Sequence, residues 1–442
     1  MNDRQFCSRV IERVAGRAEA QVAVVRGPSG LTRFANSFIH QNVAEDQAAV
    51  SLTVSIGGRV ATFTSNRTGG DAIDDLIDRS LAAAALRPVD PLWPGMAPAA
   101  GVAAVDHYDA PTADAEPATR AAIVRDFIDA GGGLSGAGFC ETEGTTVTFA
   151  NTEGQRCEGS ATRAILDGIH QTPLSAGKAH QTANIVAALD GIDAGRMAAE
   201  KARSSVDAID LKPGRYEVVL EPDAVATILI FLAVYGFNAR AAIEQRSFVE
   251  LGSLQFDQTI TLIDDPTRDD ALGVAFDAEG TPKGATTLIE AGTARSLTHN
   301  RRTAGQMDAV STGHAVSGGG GFGAFATNMF LEPGDASLDA MVASVDRGLL
   351  VTEFNYCRVL DPRTLAVTGL TRNGTFLVEN GEIAGPVSNL RFTQSFASAL
   401  GPGAVLSVED AARFANSDFG PGFAHVPSVR LAEWNFTGGV QA

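Results

Sequence analysis

The chain has 442 residues, with 34 Lys plus Arg against 52 Asp plus Glu and a formal net charge of −18. That balance argues against a general nucleic-acid binder, which needs a basic surface to release counterions from phosphate, and it disfavours an anionic membrane surface. With 45% hydrophobic and 19% charged residues, the composition is globular, and the length suggests two or three domains with an ample core.

Asn2 to Arg17 predicts a first helix, with Phe6, Val10, Ile11 and Val14 on one stripe. Strand-like runs follow at 21–26, 31–35, 49–56 and 59–65, punctuated as hairpin turns by Gly27-Pro28-Ser29-Gly30 and Gly57-Gly58. Gly69-Gly70-Asp71 opens a helix to about Leu86, and the Pro- and Ala-rich stretch 88–118 reads as a spacer. A helix at 118–130 ends at Gly131-Gly132-Gly133, strands follow at 138–143, 145–150 and 161–169, and 192–206 is a long helix. The main domain boundary is placed near residue 210: an N-terminal α+β domain over 1–209 and a C-terminal β-rich domain over 210–442. Beyond it come a strand at 215–221, a helix at 222–245 and another at 337–348. Strands and helices mix without strict alternation, which predicts an α+β fold with a large mixed sheet.

The four cysteines, Cys7, Cys140, Cys157 and Cys357, have no C-x-x-C spacing, so neither a zinc ribbon nor a disulfide framework is expected. Cys357 is expected to be a buried, inert thiol. The first residues show no basic stretch leading into an apolar run, and so no secretory signal. The most apolar stretch, Ala224 to Phe237, has 14 residues, where a membrane crossing needs about 20. A cytoplasmic protein is therefore expected. The stretch is apolar all round, as a buried helix would be.

Several candidates for chemistry have blander readings. Asp264, Asp265, Asp269 and Asp270 surround Pro266 without EF-hand spacing and read as a solvated acidic loop. The glycine-rich run Ser317 to Gly323 lacks the Gly-Lys-Ser/Thr ending of a phosphate loop; it follows His314 closely, so both could belong to one groove. No G-x-S-x-G elbow occurs. His314 is the best functional histidine, against a structural hydrogen-bonding role.

Taken in order, several segments resemble the TldD/PmbA family, known historically as modulators of DNA gyrase. They include Leu31 to Asn42, the buried helix from Ala224, Asp264-Asp265-Pro266, Phe276 to Pro282, Ser311-Thr312-Gly313-His314-Ala315, Ala326 to Asp335 and Phe376 to Ile383. The resemblance runs from about residue 5 to 435, and it implies heterodimeric zinc-dependent peptidases. In that family one subunit, TldD, carries H-E-x-x-x-H on the buried helix and a later Cys. The other, TldE or PmbA, lacks the zinc set. On this chain the motif falls on Leu232, Ala233 and Phe237, and the Cys position, before a glycine and eight residues ahead of a proline, falls on Phe419. No histidine occurs between His180 and His299.

Leu and Phe offer zinc no lone pair, and Ala233 cannot take a proton from water. Positions five apart on an ideal helix sit about 140° apart at roughly 100° per residue, so the family motif needs a local break, for which Gly236 is suited. The blander reading is a core helix that never held metal.

The resemblance thus implies a zinc-less subunit with no cofactor of its own. Zinc is expected in a TldD-like partner, with a homodimer possible when the chain is alone. Its role would be to form half of a cavity for unfolded or precursor peptides, with Thr312, Gly313, His314, Gly319 and Gly320 as candidate groove residues. The alternatives are a stand-alone non-zinc peptidase or amidase, and a non-catalytic binding protein of the gyrase-modulator type.

Overall fold

The computed structural model describes residues 1–68, 70–318 and 321–439. The chain builds two sheets. The first is antiparallel, in the order β3-β2-β1-β4-β5-β6: β1 Glu19–Ala35, β2 Phe38–Ile56, β3 Arg59–Ser65, β4 Ser135–Asn151, β5 Arg156–Gln171 and β6 Ala176–Ala183. Four helices pack on it: α1 Asp3–Val14 and α2 Gly70–Leu86, then, beyond the short α3 Ala110–Ala113, α4 Pro117–Ala130 and α5 Gly191–Ser204. Asn2 starts α1 through a capping box with Gln5. The stripe Phe6, Val10, Ile11 and Val14 is buried against Val22, Val24, Leu52 and Val54.

Gly27-Pro28-Ser29-Gly30 is not a turn. β1 runs straight through it, opposite Ala44 to Gln47 of β2. The ladder to β4 lapses at Gly27 and Pro28, between the pairs Arg26–Thr146 and Ser29–Glu143, where Pro28 has no N–H to give. There Gly27 lies on Gly144: a Cβ on Gly27 would stand 1.8 Å from the Gly144 oxygen. The four residues mark a close approach of two long strands. The reversal comes at Asn36 and Ser37, both at positive φ (50° and 61°), as a tight hairpin requires.

The second sheet is mixed, as expected. It runs β10-β9-β8-β11-β17-β15-β13-β12-β7, with β14 on β13 and β16 on β17. Its strands are β7 Gly214–Leu220, β8 Leu262–Asp264, β9 Thr286–Glu290, β10 Thr293–Ala294, β11 Met329–Leu331, β12 Arg347–Asp361, β13 Ala366–Glu379, β14 Glu382–Pro386, β15 Leu390–Ser395, β16 Val405–Ser417 and β17 Gly420–Gly439. β7 pairs parallel with β12 and antiparallel with β17, so β7, β12, β13, β15 and β17 close a ring that leaves none of the five as a free edge. Phe354, Phe392, Phe396 and Trp434 form one aromatic cluster in this core, with the Phe354 and Trp434 centroids 4.8 Å apart.

The apolar helix is buried as its pattern predicts: every residue of α6, Pro222–Phe231, is buried, and of the apolar residues that follow to Phe237 only Tyr235 is partly exposed. It does not continue to 245. Leu232–Phe237 wind as a π-helix, Asn238 is extended (ψ 115°), and α7, Ala239–Ile243, starts afresh with the Asn238 side chain as its cap. Gly236 sits at this break, its carbonyl accepting from Ser247 Oγ at 2.7 Å. A Cβ on Gly236 would meet the Phe248 ring at 2.8 Å.

The helix expected over 337–348 is only Leu338–Ala343. Gly348 belongs to β12 and lies against Glu217 of β7, whose oxygen would stand 2.5 Å from a Cβ there. No helix among the described residues is long and apolar enough to cross a membrane.

Candidate functional site

A cavity of about 360 Å³ opens between the two sheets. Val147 of β4 and Ala161 of β5 form one wall; Leu272, Val274, Phe276, Phe325 and Phe423 from the second half of the chain form the other. Polar groups converge at its floor and rim. Arg163 and Glu143 pair at 2.8 Å on the rim. On the floor, Lys283 donates to Thr327 Oγ1 at 2.8 Å, with Asp264 Oδ1 at 4.0 Å. An apolar chamber with a few fixed polar groups is the common form of a ligand site.

Gly313 and His314 line this cavity. Gly313 has φ +73° and lies where a Cβ would stand 2.4 Å from the Pro282 oxygen, which only glycine tolerates without strain. The His314 side chain is wholly buried, with Nε2 3.2 Å from Asp264 Oδ1 and Nδ1 2.8 Å from the Thr312 hydroxyl. The carboxylate can only accept, so Nε2 carries a proton directed at Asp264. Both ring nitrogens are thus engaged within the protein. Thr312 stands behind the wall, bonded to His299 N–H at 2.7 Å and to His299 O at 3.2 Å. This Thr312–His314–Asp264 chain fixes the wall and presents no free nucleophile to the cavity. Gly319 and Gly320 lie outside the described residues.

Asp264 is not in a solvated loop. It is fully buried at the end of β8 and accepts from Asn328 N–H at 2.8 Å. Burial opposes its ionisation, but Lys283, His314 and the Asn328 N–H outweigh burial and hold its pKa down to about 2. Asp269 and Asp270 are exposed. Lys283 and Asp277 were not singled out from sequence; Asp277 belongs to the Phe276 to Pro282 segment and Lys283 follows it, but a lone Lys or Asp carries no motif.

A second, polar cavity of about 790 Å³ lies beside the start of α6. Lys178 of β6 is buried there, 2.7 Å from Glu353, 3.5 Å from Asp167 and 3.8 Å from Asp223. His180 Nδ1 is 2.9 Å from Asp167, and Arg413 is 3.3 Å from Asp223. Burial works against the Lys178 charge, but the three carboxylates raise its pKa above the ordinary lysine value.

The positions laid on the zinc motif are hydrocarbon in a dry setting. Leu232, Ala233 and Phe237 are at most 1% exposed. Phe237 faces Phe256 at 6.0 Å between ring centroids, while the half-exposed Phe419 packs edge-on against Phe231 at 5.4 Å. The chain therefore brings residue 419 beside the helix, and the π-helical turn supplies the break that five-residue spacing calls for. These side chains do not fit a zinc ion, because none has a donor atom. Among the described residues no group of three or more His, Cys, Asp or Glu could hold a metal ion. Cys357 is buried (2% exposed), and burial, then the charge of Asp418, raises its thiol pKa.

The C-terminal half of the chain is thus a ringed mixed sheet around a buried, broken helix. Residues 213–438 match the family model described as the PmbA/TldA metallopeptidase C-terminal domain, and the chain belongs to this TldD/PmbA family. It is 27% identical over 209 residues to a metalloprotease of Methanothermobacter thermautotrophicus, covering 47% of this chain and 46% of that protein. It is 29% identical over 175 residues to a metalloprotease of Methanocaldococcus jannaschii, covering 38% of each. The matches thus span less than half the length of these relatives. TldE from Thermococcus kodakarensis superimposes with a TM-score of 0.87 over 98% of this chain and 99% of that one, at 17% identity, a likeness of fold.

Proposed function

We propose that this chain is the zinc-less, non-catalytic subunit of a TldD/TldE-type heterodimeric metallopeptidase. In this reading residues 1–209 form the N-terminal α+β domain, and residues 210–442 a metallopeptidase-like domain whose zinc positions are Leu232, Ala233, Phe237 and Phe419. A TldD-like partner supplies the zinc and the general base. This chain supplies half of an enclosing cavity that excludes bulk water and holds an extended peptide; main-chain hydrogen bonds would let it accept varied sequence. The observation that carries the reading is the burial of Leu232, Ala233 and Phe237 on the helix, with no donor atom among them.

The test is co-expression with a TldD-like protein, followed by zinc content and peptidase assays on each chain alone and on the pair. Zinc is expected with the partner and full activity only in the pair. Stoichiometric zinc on this chain by itself would overturn the reading.

A further inference from the structure

Both cations of the 360 Å³ cavity are already paired with carboxylates. Arg163 is held by Glu143 at 2.8 Å and Glu141 at 3.6 Å. Lys283 faces Asp264. The Asp277 carboxylate accepts backbone N–H bonds from Ala315, Thr281 and Glu279, each at 2.9 Å. A charged ligand entering here would lose its hydration without full compensation, because both cations are already balanced and the Asp277 oxygens are occupied by three backbone N–H groups. An apolar group would instead be covered on several sides by Val147, Leu272, Val274, Phe276, Phe325 and Phe423, and burial of its surface away from water favours binding.

One polar capacity remains. The Lys283 ammonium has three N–H groups and donates one to Thr327. It lines the cavity and is 8% exposed. With Asp264 already balancing its charge, and Asp277 nearby, it suits a neutral oxygen better than a second carboxylate. Alongside, the β11–β17 ladder begins only at Met329–Ala424, so the cavity-lining residues Pro421, Gly422 and Phe423 precede the paired stretch on that side.

We infer that this cavity is a specificity pocket for one large uncharged side chain, aliphatic or aromatic, of a peptide, with Lys283 donating to a neutral carbonyl of that peptide. The inference deepens the peptide-binding role proposed above and rests on it. It assigns selectivity to this chain and not to the zinc-bearing partner.

The experiment measures binding of N-acetyl amino-acid amides to the full chain alone by saturation-transfer NMR. The phenylalanine and leucine amides should bind at least tenfold more tightly than the lysine amide and N-acetyl-aspartate. Val147→Phe, which places a strand-compatible ring in the chamber, should abolish that preference; Ala278→Phe, at another lining position, serves if the first variant does not fold. Equal binding of charged and apolar amides, or an unchanged preference in the filled variant, would overturn the pocket. Because no partner or zinc is present, such a failure is separable from failure of the subunit reading, which the zinc and peptidase assays on the pair decide.

Discussion

The Asn238 side chain donates to the Phe322 carbonyl at 2.9 Å. Its other atom, Oδ1, accepts from Ala324 N–H at 3.2 Å and from Arg240 N–H at 3.0 Å. One residue thus ends the π-helical turn, caps α7 and ties the glycine-rich segment to both. Asn238→Ala should destabilise the fold by about 1–3 kcal/mol, from the lost cap and from buried groups left unpaired. Urea denaturation measures the loss, and amide exchange at Ala324 should accelerate; unchanged exchange there would refute the tie.

Gly236 gives a second test. An added Cβ meets Phe248 Cε1 and Cζ at 2.8 Å and Val249 Cγ2 at 3.3 Å. Gly236→Ala should cost about 1–3 kcal/mol of overpacking, read as a lower midpoint in thermal unfolding. A variant as stable as the parent would mean that Phe248 gives way freely.

Lys178 is the cation of a buried cluster with Glu353, Asp167 and Asp223. Lys178→Met leaves those carboxylates without their ammonium and should cost about 3–5 kcal/mol. Adding Glu353→Gln should restore part of the loss, since Glu353 is the nearest partner and burial already raises its pKa. Denaturant titration of the single and double variants compares them; no recovery in the double variant would argue against that pairing.

Glu279 links stability to pH. Burial, and then the charge of Asp277, raise its pKa from the usual 4.5 to about 7, against the Arg301 N–H bond and charge. A carboxyl with a raised folded pKa favours the folded state while protonated. Its contribution is therefore full below about pH 4.5 and is lost as pH rises through about 7, by up to about 3 kcal/mol. Glu279→Gln should be more stable than the parent at pH 8 and nearly equal at pH 4.5. Melting curves at the two pH values decide it, and a gap that fails to grow with pH would contradict the assignment.

Much of the fold is visible in local pattern. The stripe Phe6, Val10, Ile11 and Val14 and the all-apolar run from Ala224 follow from periodicity, which acts over a few residues; the break at Gly236 was suggested only by the spacing of the family motif, and periodicity alone ran the helix on to 245. The strand β6 is not visible. Its sequence, Ala-Gly-Lys-Ala-His-Gln-Thr-Ala, lacks branched apolar residues, because Lys178 and His180 are spent on the ion cluster.

Residues that meet only across the chain were beyond reach for the same reason. Asp264 looks solvated in its run of acids until Lys283, His314 and Asn328 close around it. Gly27-Pro28-Ser29-Gly30 looks like a turn until Gly144 is seen to lie on it. The sequence by itself determined the mixed α+β class, the buried helix and the absence of donor atoms at Leu232, Ala233, Phe237 and Phe419, since side-chain chemistry and spacing are local properties. The cavity between the sheets, the pairing of its cations and the seat of Phe419 beside Phe231 were decided by tertiary structure alone, because each depends on contacts between residues far apart along the chain.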